Sequence, residues 1–354
     1  METQPNGKTA LVTGAGSGIG QELARLFAKD GYNLVLVDIN EEGMRLLTNH
    51  FKNQYGTDVT IIVKDLADPK APDEIYAQTS GQGQTIDVLV NDAGFGEYGN
   101  FATETDFERE KAIVQVNAVA LMHLTKLYLK DMVARNDGKI LLLGSEVSVA
   151  PSPMQAVYGA TKAFIKSFGE SVRSELKGSG SKVTITILMP GATNTNFFKV
   201  AGAAHVKGAD PQKTADPAAV AREGYEALMA GKDHVVAGWM NKARVAMAHI
   251  LPDPLVAASA RSDMMPKEEA EAQQRQTLIA LGVAAAVIGG VWLLARNRRE
   301  LGLSAYDEAI PGRTRYRYKA NKASRSAEKT LSSVGKSVKG AYKNAKATVE
   351  DALA

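Results

Sequence analysis

The chain has 354 residues, 45% of them hydrophobic and 23% charged, which fits a large α/β domain with extensions and excludes an intrinsically disordered protein. It has no cysteine, so disulfides, thiolate nucleophiles and cysteine-based zinc sites are ruled out. The formal charge of +3 hides a split: residues 1–276 hold 28 Lys and Arg against 33 Asp and Glu, residues 296–354 hold 14 against 6, and the stretch between holds none.

The N-terminal stretch METQPNGKTALVTGAG lacks a charged-then-apolar leader pattern, so the first part of the chain is expected to stay in the cytoplasm. Lys8 to Val12 reads as a short buried strand. It runs into Thr13-Gly14-Ala15-Gly16-Ser17-Gly18-Ile19-Gly20 and then into the helical spacing of Leu23, Leu26 and Phe27. A strand, a glycine turn and a helix in that order make an anion site, because the glycines admit a pyrophosphate and the helix N-terminus offers free amides. A second strand, Tyr32 to Val37, ends in Asp38. That acid either hydrogen-bonds ribose hydroxyls and repels a 2′-phosphate, or caps the helix beginning at Glu41.

The alternation continues with strands at Val59 to Val63, Val88 to Val90, Ile140 to Leu143 and Val183 to Leu188, and with a long helix from about Asp106 to Ala134 that carries Asn117. This predicts an open parallel sheet covered on both faces, with ligands at the carboxyl ends of its strands. Gly14, Asp38, Asp65, Asn91, Ser145 and Pro190 all fall at those ends. Ala118 to Leu129 on the long helix reads as core or as a dimer face. Lys130, Asp131, Arg135 and Asp137 read as a solvated helix end.

In the predicted helix Ala156 to Leu176, Tyr158 and Lys162 stand four apart and share one face. A fixed ammonium beside a tyrosine favours the phenolate, so Lys162 is expected to bring Tyr158 toward neutral proton exchange. Five histidines without paired ligand spacing predict no metal site.

Taken together, Thr13-Gly14-x-x-x-Gly18-x-Gly20, Asn91-x-Ala93-Gly94, Asn117, Ser145, Tyr158-x-x-x-Lys162 and Pro190-Gly191 followed by Thr195 make residues 7–240 resemble the short-chain dehydrogenase/reductase family. Pro190 to Phe198 further resembles a bacterial subgroup of broadly assigned oxidoreductases. The resemblance implies a Rossmann-like doubly wound parallel sheet in a single catalytic domain. It implies Tyr158 as general acid or base, Lys162 tuning it and holding the nicotinamide ribose, Ser145 on the substrate oxygen, and Asn117 holding a water in the proton relay. On the cofactor side it implies Thr13, Gly14, Ser17, Gly18, Ile19, Gly20, Asp38, Asp65, Leu66, Asn91, Ala93, Gly94, Pro190, Gly191 and Thr195, with Tyr158 and Lys162. Two positions depart from the pattern. Asp92 replaces an asparagine, and Glu146 follows the catalytic-type serine, where it is expected to face solvent.

Asp38 with no arginine at position 17 or 39 predicts NAD rather than NADP. The implied reaction interconverts an alcohol and a carbonyl. A cofactor-binding scaffold or redox sensor without turnover is the alternative, and an epimerase would need a larger substrate domain after the sixth strand.

Beyond the sixth strand, Phe197 and Phe198 are expected to line the substrate pocket or to pack in the core. Asp216 to Ala230 reads as a helix and His234 to Ala237 as a last strand. Residues 241–276 read as a docking or interfacial helix, broken by Pro252 and Pro254, and a charged helical linker from Met264 to Gln276. Thr277 to Ala295 is nineteen uncharged residues, about 28 Å as a helix, with Trp292, Arg296, Arg298 and Arg299 as interface anchors. It reads as a single transmembrane helix, with a buried soluble helix, or a segment that dips into or lies on the bilayer and leaves the tail on cytoplasmic lipid, as the alternatives. Gly282, Ala286 and Gly290 could pair two such helices. The basic tail, residues 296–354, reads as partly disordered, with Ala327 to Leu353 able to form an amphipathic helix on an anionic surface; nucleic acid is the weaker partner, since only Tyr316, Tyr318 and Tyr342 offer stacking. A catalytic domain facing the cytoplasm, a lipophilic substrate and a homo-oligomer complete the expectation.

Overall fold

A computed structural model describes residues 6–251, 253–269 and 272. The expected span at 277–295 and the basic tail at 296–354 lie outside the described residues. Residues up to Pro266 belong to one compact unit, and a second begins at Lys267, of which 267–269 and 272 are described and helical.

Seven strands, β1 (Thr9–Thr13), β2 (Asn33–Asp38), β3 (Val59–Val63), β4 (Val88–Asn91), β5 (Lys139–Leu143), β6 (Thr184–Met189) and β7 (His234–Val236), form one sheet in the order β3-β2-β1-β4-β5-β6-β7. Every ladder is parallel. The chain leaves β1 toward β2 on one side and returns to β4 on the other. The carboxyl ends of β1 and β4 therefore diverge into a crevice. β1 is buried along its whole length, as a central strand covered on both faces must be.

Alternate β1 residues enter opposite cores. Ala10 and Val12 meet Leu23 and Phe27 of α1 (Gly18–Lys29), Met44 and Phe51 of α2 (Glu41–Tyr55) and Leu228 of α8 (Pro217–Met229). Leu11 meets Ile75 of α3 (Ala71–Gln78), Leu124 of α5 (Leu121–Arg135) and Ile165 of α6 (Ala156–Gly178). Caps fix the helix starts: Asn40 accepts from Gly43 N at 3.1 Å at the head of α2, and Asp216 from Ala218 N at 3.1 Å at the head of α8. Asp38 is therefore not the cap of α2.

The predicted long helix is present in three parts: α4 (Phe107–Val114), a π-helical segment over Gln115–Ala120, and α5. Asn117 sits in the π segment. Leu121, Leu124 and Tyr128 point into the core while Val119 and Met122 are exposed, so this stretch is core on one side and open on the other. Its C-terminal end is less solvated than its charge suggests. Asp131 accepts the Tyr76 hydroxyl at 2.9 Å, and Arg135 donates to Ile86 O at 2.5 Å.

After β6 the chain forms the short α7 (Phe197–Val200), then α8 and β7, then α9 (Trp239–Ala248) and α10 (Asp253–Asp263). The two prolines separate α9 from α10, as the sequence predicts. Trp239 and Ile250 are 78% and 81% exposed, so neither anchors this region to the core. The linker departs from expectation at its start. Met264 and Met265 form a turn and a bend and Pro266 an isolated bridge rather than helix, with Lys207 N donating to Met265 O at 3.0 Å and Pro266 pairing with Val206.

Candidate active site

The crevice widens into a cavity of about 570 Å³ at the carboxyl ends of the strands. That is a usual size for a small-molecule site. Gly14, Ser17, Gly18, Ile19, Asp38, Asp65, Leu66, Ala93, Gly94, Ser145, Tyr158, Pro190, Gly191 and Thr195 line it. Thr13, Gly20, Asn91, Asn117 and Lys162 stand behind that wall.

At one end, the glycine loop comes close to its neighbours in a way that only glycine permits. A Cβ on Gly14, whose φ is +72°, would lie 2.8 Å from Ala93 N, and one on Gly20 would lie 2.4 Å from Gly14 O. Thr13 ties the loop from behind, accepting from Asp92 N at 3.1 Å and Ala93 N at 3.2 Å. Asn91 is likewise buried, donating to Thr125 Oγ1 at 3.0 Å. Ser17 precedes α1 without a side-chain cap, leaving the first amides of that helix for a ligand. The Asp38 carboxylate is fixed by Gly16 N at 2.9 Å and Asn40 N at 2.8 Å. Uncapped helix amides beside a side-chain-free turn suit a pyrophosphate, and a fixed acid one strand away suits ribose hydroxyls, so the residues fit a dinucleotide.

At the centre are Tyr158 and Ser145. The Ser145 hydroxyl faces the Tyr158 phenol across the cavity wall and draws its pKa down against the effect of burial. Ser145 is held at the head of a short turn, Glu146–Val149, by Val147 N at 3.3 Å and by its own N–H to Ser148 Oγ at 3.1 Å. Lys162, one turn along α6, donates to Leu143 O at 2.7 Å and stands 5.6 Å from the Tyr158 ring centre. Asn117 is fully buried, donating to Phe95 O at 2.9 Å and Thr161 Oγ1 at 3.2 Å and accepting from Phe95 N at 3.1 Å. It locks the strand β4 loop to α6.

The electrostatics correct one expectation. Burial pushes the Tyr158 phenol above its usual range; Ser145 opposes this while Glu146 and Asp92 add to it. Burial also lowers the Lys162 ammonium to about 8, opposed by Asp92. Lys162 is spent on a backbone carbonyl, and desolvation outweighs any help it gives the phenolate. Asp92, buried against Gly14 and Gly20, is raised to about 7, chiefly by burial, with Lys162 and the Gly20 amide opposing.

The other end is apolar. Phe197 lies 5.0 Å from the Tyr158 ring and Phe198 5.6 Å from Phe197, and both line the cavity with Phe95, Val147, Val200 and Met264. Glu146 is a second correction. It does not face solvent: its side chain is 17% exposed and lines the cavity, with Oε1 3.6 Å from Arg244 of α9. Burial raises its pKa, with Arg244 opposing and Asp263 adding. The pair belongs to a chain, since Arg244 also meets Asp263 at 3.5 Å and Asp263 meets Lys207 at 3.5 Å. Tyr98 donates to Met264 O at 2.9 Å, so the segment after α10 roofs this end.

Sequence reasoning missed Gln155, Met264, Lys64 and Arg109, which also line the cavity. Only Gln155 left a signal, standing three residues before Tyr158 at the start of the same helix.

Comparison with known proteins agrees with this geometry. Residues 8–205 match the short chain dehydrogenase family. A short chain dehydrogenase of Pseudocercospora fijiensis is 33% identical over 56% of this chain, which spans 63% of that relative's length. The 7β-hydroxysteroid dehydrogenase of Mediterraneibacter gnavus is 30% identical over 68% of this chain and 89% of its own. Among solved structures, a short-chain dehydrogenase from Sphingobium yanoikuyae in complex with NADPH superposes with a TM-score of 0.60 at 25% identity, covering 69% of this chain and 96% of its own.

Proposed function

This chain belongs to the short-chain dehydrogenase family, oxidoreductases acting on CH–OH groups, and from that premise we propose that it interconverts a lipophilic alcohol and its carbonyl compound with NAD(H). The observation that carries the reading is that Ser145 and Tyr158 line the same cavity as the uncapped start of α1 and Asp38, with Lys162 one turn along α6. Hydride transfer is the chemistry a bound nicotinamide supplies there. Gly14, Gly18 and the amides of α1 would hold the pyrophosphate, Asp38 the adenosine ribose, and Thr195 the nicotinamide end.

The chain's own part is to place the substrate oxygen and move its proton. Ser145 donates toward the oxygen as it gains negative charge during reduction. Tyr158 gives that oxygen its proton, and the same proton returns to Tyr158 in oxidation. The raised pKa keeps Tyr158 as the phenol at neutral pH, the form reduction needs. Lys162 then faces the phenolate left behind, and Asn117 holds the loop beneath.

NAD preference rests on the fixed Asp38 carboxylate, which would repel a 2′-phosphate. Lys64 lines the same cavity, but it is engaged by Glu74. We also assign the uncharged stretch 277–295 to a single membrane span with the catalytic unit on the cytoplasmic side and the basic tail across the bilayer. Protection of a C-terminal tag in sealed inside-out vesicles, with the catalytic unit cleaved, tests that topology; cleavage of both refutes the span. Val114, Val119, Met122 and Phe164 form an apolar groove that would suit a second copy.

The reaction is tested by cofactor absorbance over an alcohol, aldehyde and ketone panel with wild type and Tyr158→Phe. Turnover that survives the substitution would remove Tyr158 from the mechanism. Cofactor binding without any turnover would favour a scaffold.

A further inference from the structure

We propose that Glu146 and Gln155 select a substrate that carries a second hydroxyl close to the reacting carbon, so that this enzyme acts on a hydroxyketone and its diol; the inference rests on the oxidoreductase reading above.

Two polar groups in the apolar end of the cavity are buried without partners among the described residues. Glu146 Oε2 is one. Its sister oxygen lies 3.6 Å from Arg244, close enough for attraction and too far for a hydrogen bond. Gln155 Nε2 is the other. Gln155 is only 3% exposed and stands at the N-cap of α6, yet its side chain makes no capping hydrogen bond. Its amide turns instead toward Gly96, where a Cβ would stand 3.4 Å from Nε2 and 3.0 Å from the edge of Phe197. Both residues line the cavity.

A buried polar group without a partner is costly, and the cost is largest for a charged one. Beside them Arg109 is engaged by Val200 O and stacks over Phe95, and the other side chains around Phe197, namely Phe95, Val147, Phe198, Val200 and Met264, offer no strong hydrogen-bonding group. A wholly apolar substrate beside Glu146 and Gln155 would leave both unsatisfied. The carboxylate needs a donor and the amide needs an acceptor, and a hydroxyl is both. Position limits where that hydroxyl lies. Glu146 directly follows Ser145 and its charge acts on Tyr158, while Gln155 is one turn before Tyr158 on α6. The second hydroxyl therefore sits near the carbon whose oxygen Ser145 and Tyr158 hold.

The probes are two pairs of ketones in which a hydroxyl replaces a methyl: phenacyl alcohol against propiophenone, and β-hydroxypropiophenone against butyrophenone. In wild type, kcat/KM should favour the hydroxyl member of at least one pair by about tenfold or more. The ratio should fall toward one in Glu146→Leu and in Gln155→Leu, and Glu146→Gln, which keeps an acceptor oxygen, should retain part of it. Because the ratio is taken within each variant, a general loss of activity cancels. No preference in either pair, or a preference intact in both leucine variants, overturns the proposal and leaves Glu146 as an ion-pair partner of Arg244. If none of the four ketones is reduced, the reaction assignment fails separately. The pairs are then compared by calorimetric binding: preference for the hydroxyl member in wild type and not in Glu146→Leu supports the assignment, and equal affinities overturn it.

Discussion

The two ends of the cavity are built by different means. The end near Gly14 and Asp38 is made of backbone: consecutive turns after β1 and β2, amides aimed at one point, and contacts closed by the absence of a side chain. The end near Glu146 and Phe197 is made of side chains from segments far apart in sequence, the β5 turn, α7, α9 and the stretch after α10, joined by long ion pairs. The first can hold one shape of ligand and has little to rearrange. The second can change its occupant by changing a residue.

Substitutions should separate the ends, beginning with the most severe. Gly20→Ala places a methyl 2.4 Å from Gly14 O, and neither the helix nor the turn can yield cheaply. Cofactor affinity, measured by calorimetry, should fall at least about tenfold, with the melting temperature reduced as well. Retained affinity would mean the loop is not the anion site. Asp38→Ser removes the charge that opposes a 2′-phosphate. The ratio of NADP to NAD affinity should rise about tenfold or more, while the KM for a ketone at saturating cofactor stays within about twofold. An unchanged ratio would shift attention to Lys64.

Arg244→Leu acts on the other end. Its ion pairs are partly exposed, so their own contribution to stability is small, about 1 kcal/mol or less. The KM for the ketone should rise a few-fold with cofactor affinity unchanged, and the loss should deepen toward lower pH, because Arg244 is what opposes the upward push of burial on Glu146. A change confined to cofactor affinity would break the division between the two ends.

The smallest effect lies between them. Asp92 is raised from 3.8 to about 7 in the fold, so the folded chain holds a proton there that the unfolded chain releases in that window. The contribution of Asp92 to stability therefore falls as pH rises from about 4 to about 7 and is constant above that. Asp92→Asn removes this contribution, so the difference in stability between pH 5 and pH 8 should shrink by about 1 kcal/mol or more in denaturant titrations. An identical pH profile would place the ionisation elsewhere.

The division also explains what could be read from the chain alone. The glycine turn, Asp38 and the Tyr158–Lys162 pair are legible because their geometry is local: a strand feeding a helix, or one helical turn. The site residues behind the wall, such as Asn91 and Asn117, could be named but not placed, since burial depends on α5 and α6 packing over them. The direction of the Tyr158 shift is not legible in the sequence for the same reason. Proximity of an ammonium is visible in spacing, and desolvation is not. Glu146 was assigned to solvent because the helix that covers it, α9, lies almost a hundred residues later. Met264 left no trace at all.

The π-helical segment Gln115–Ala120 carries one more residue per turn than its neighbours, and the register of everything after it depends on that surplus. If the same residues were wound as an ordinary helix, without the wider turn that absorbs the surplus, the two parts would be turned against each other by about 100°. No functional group would have been lost, yet Asn117 could no longer bridge Phe95 to Thr161 while Leu121, Leu124 and Tyr128 kept their places in the core. The helix thus has a phase as well as a composition.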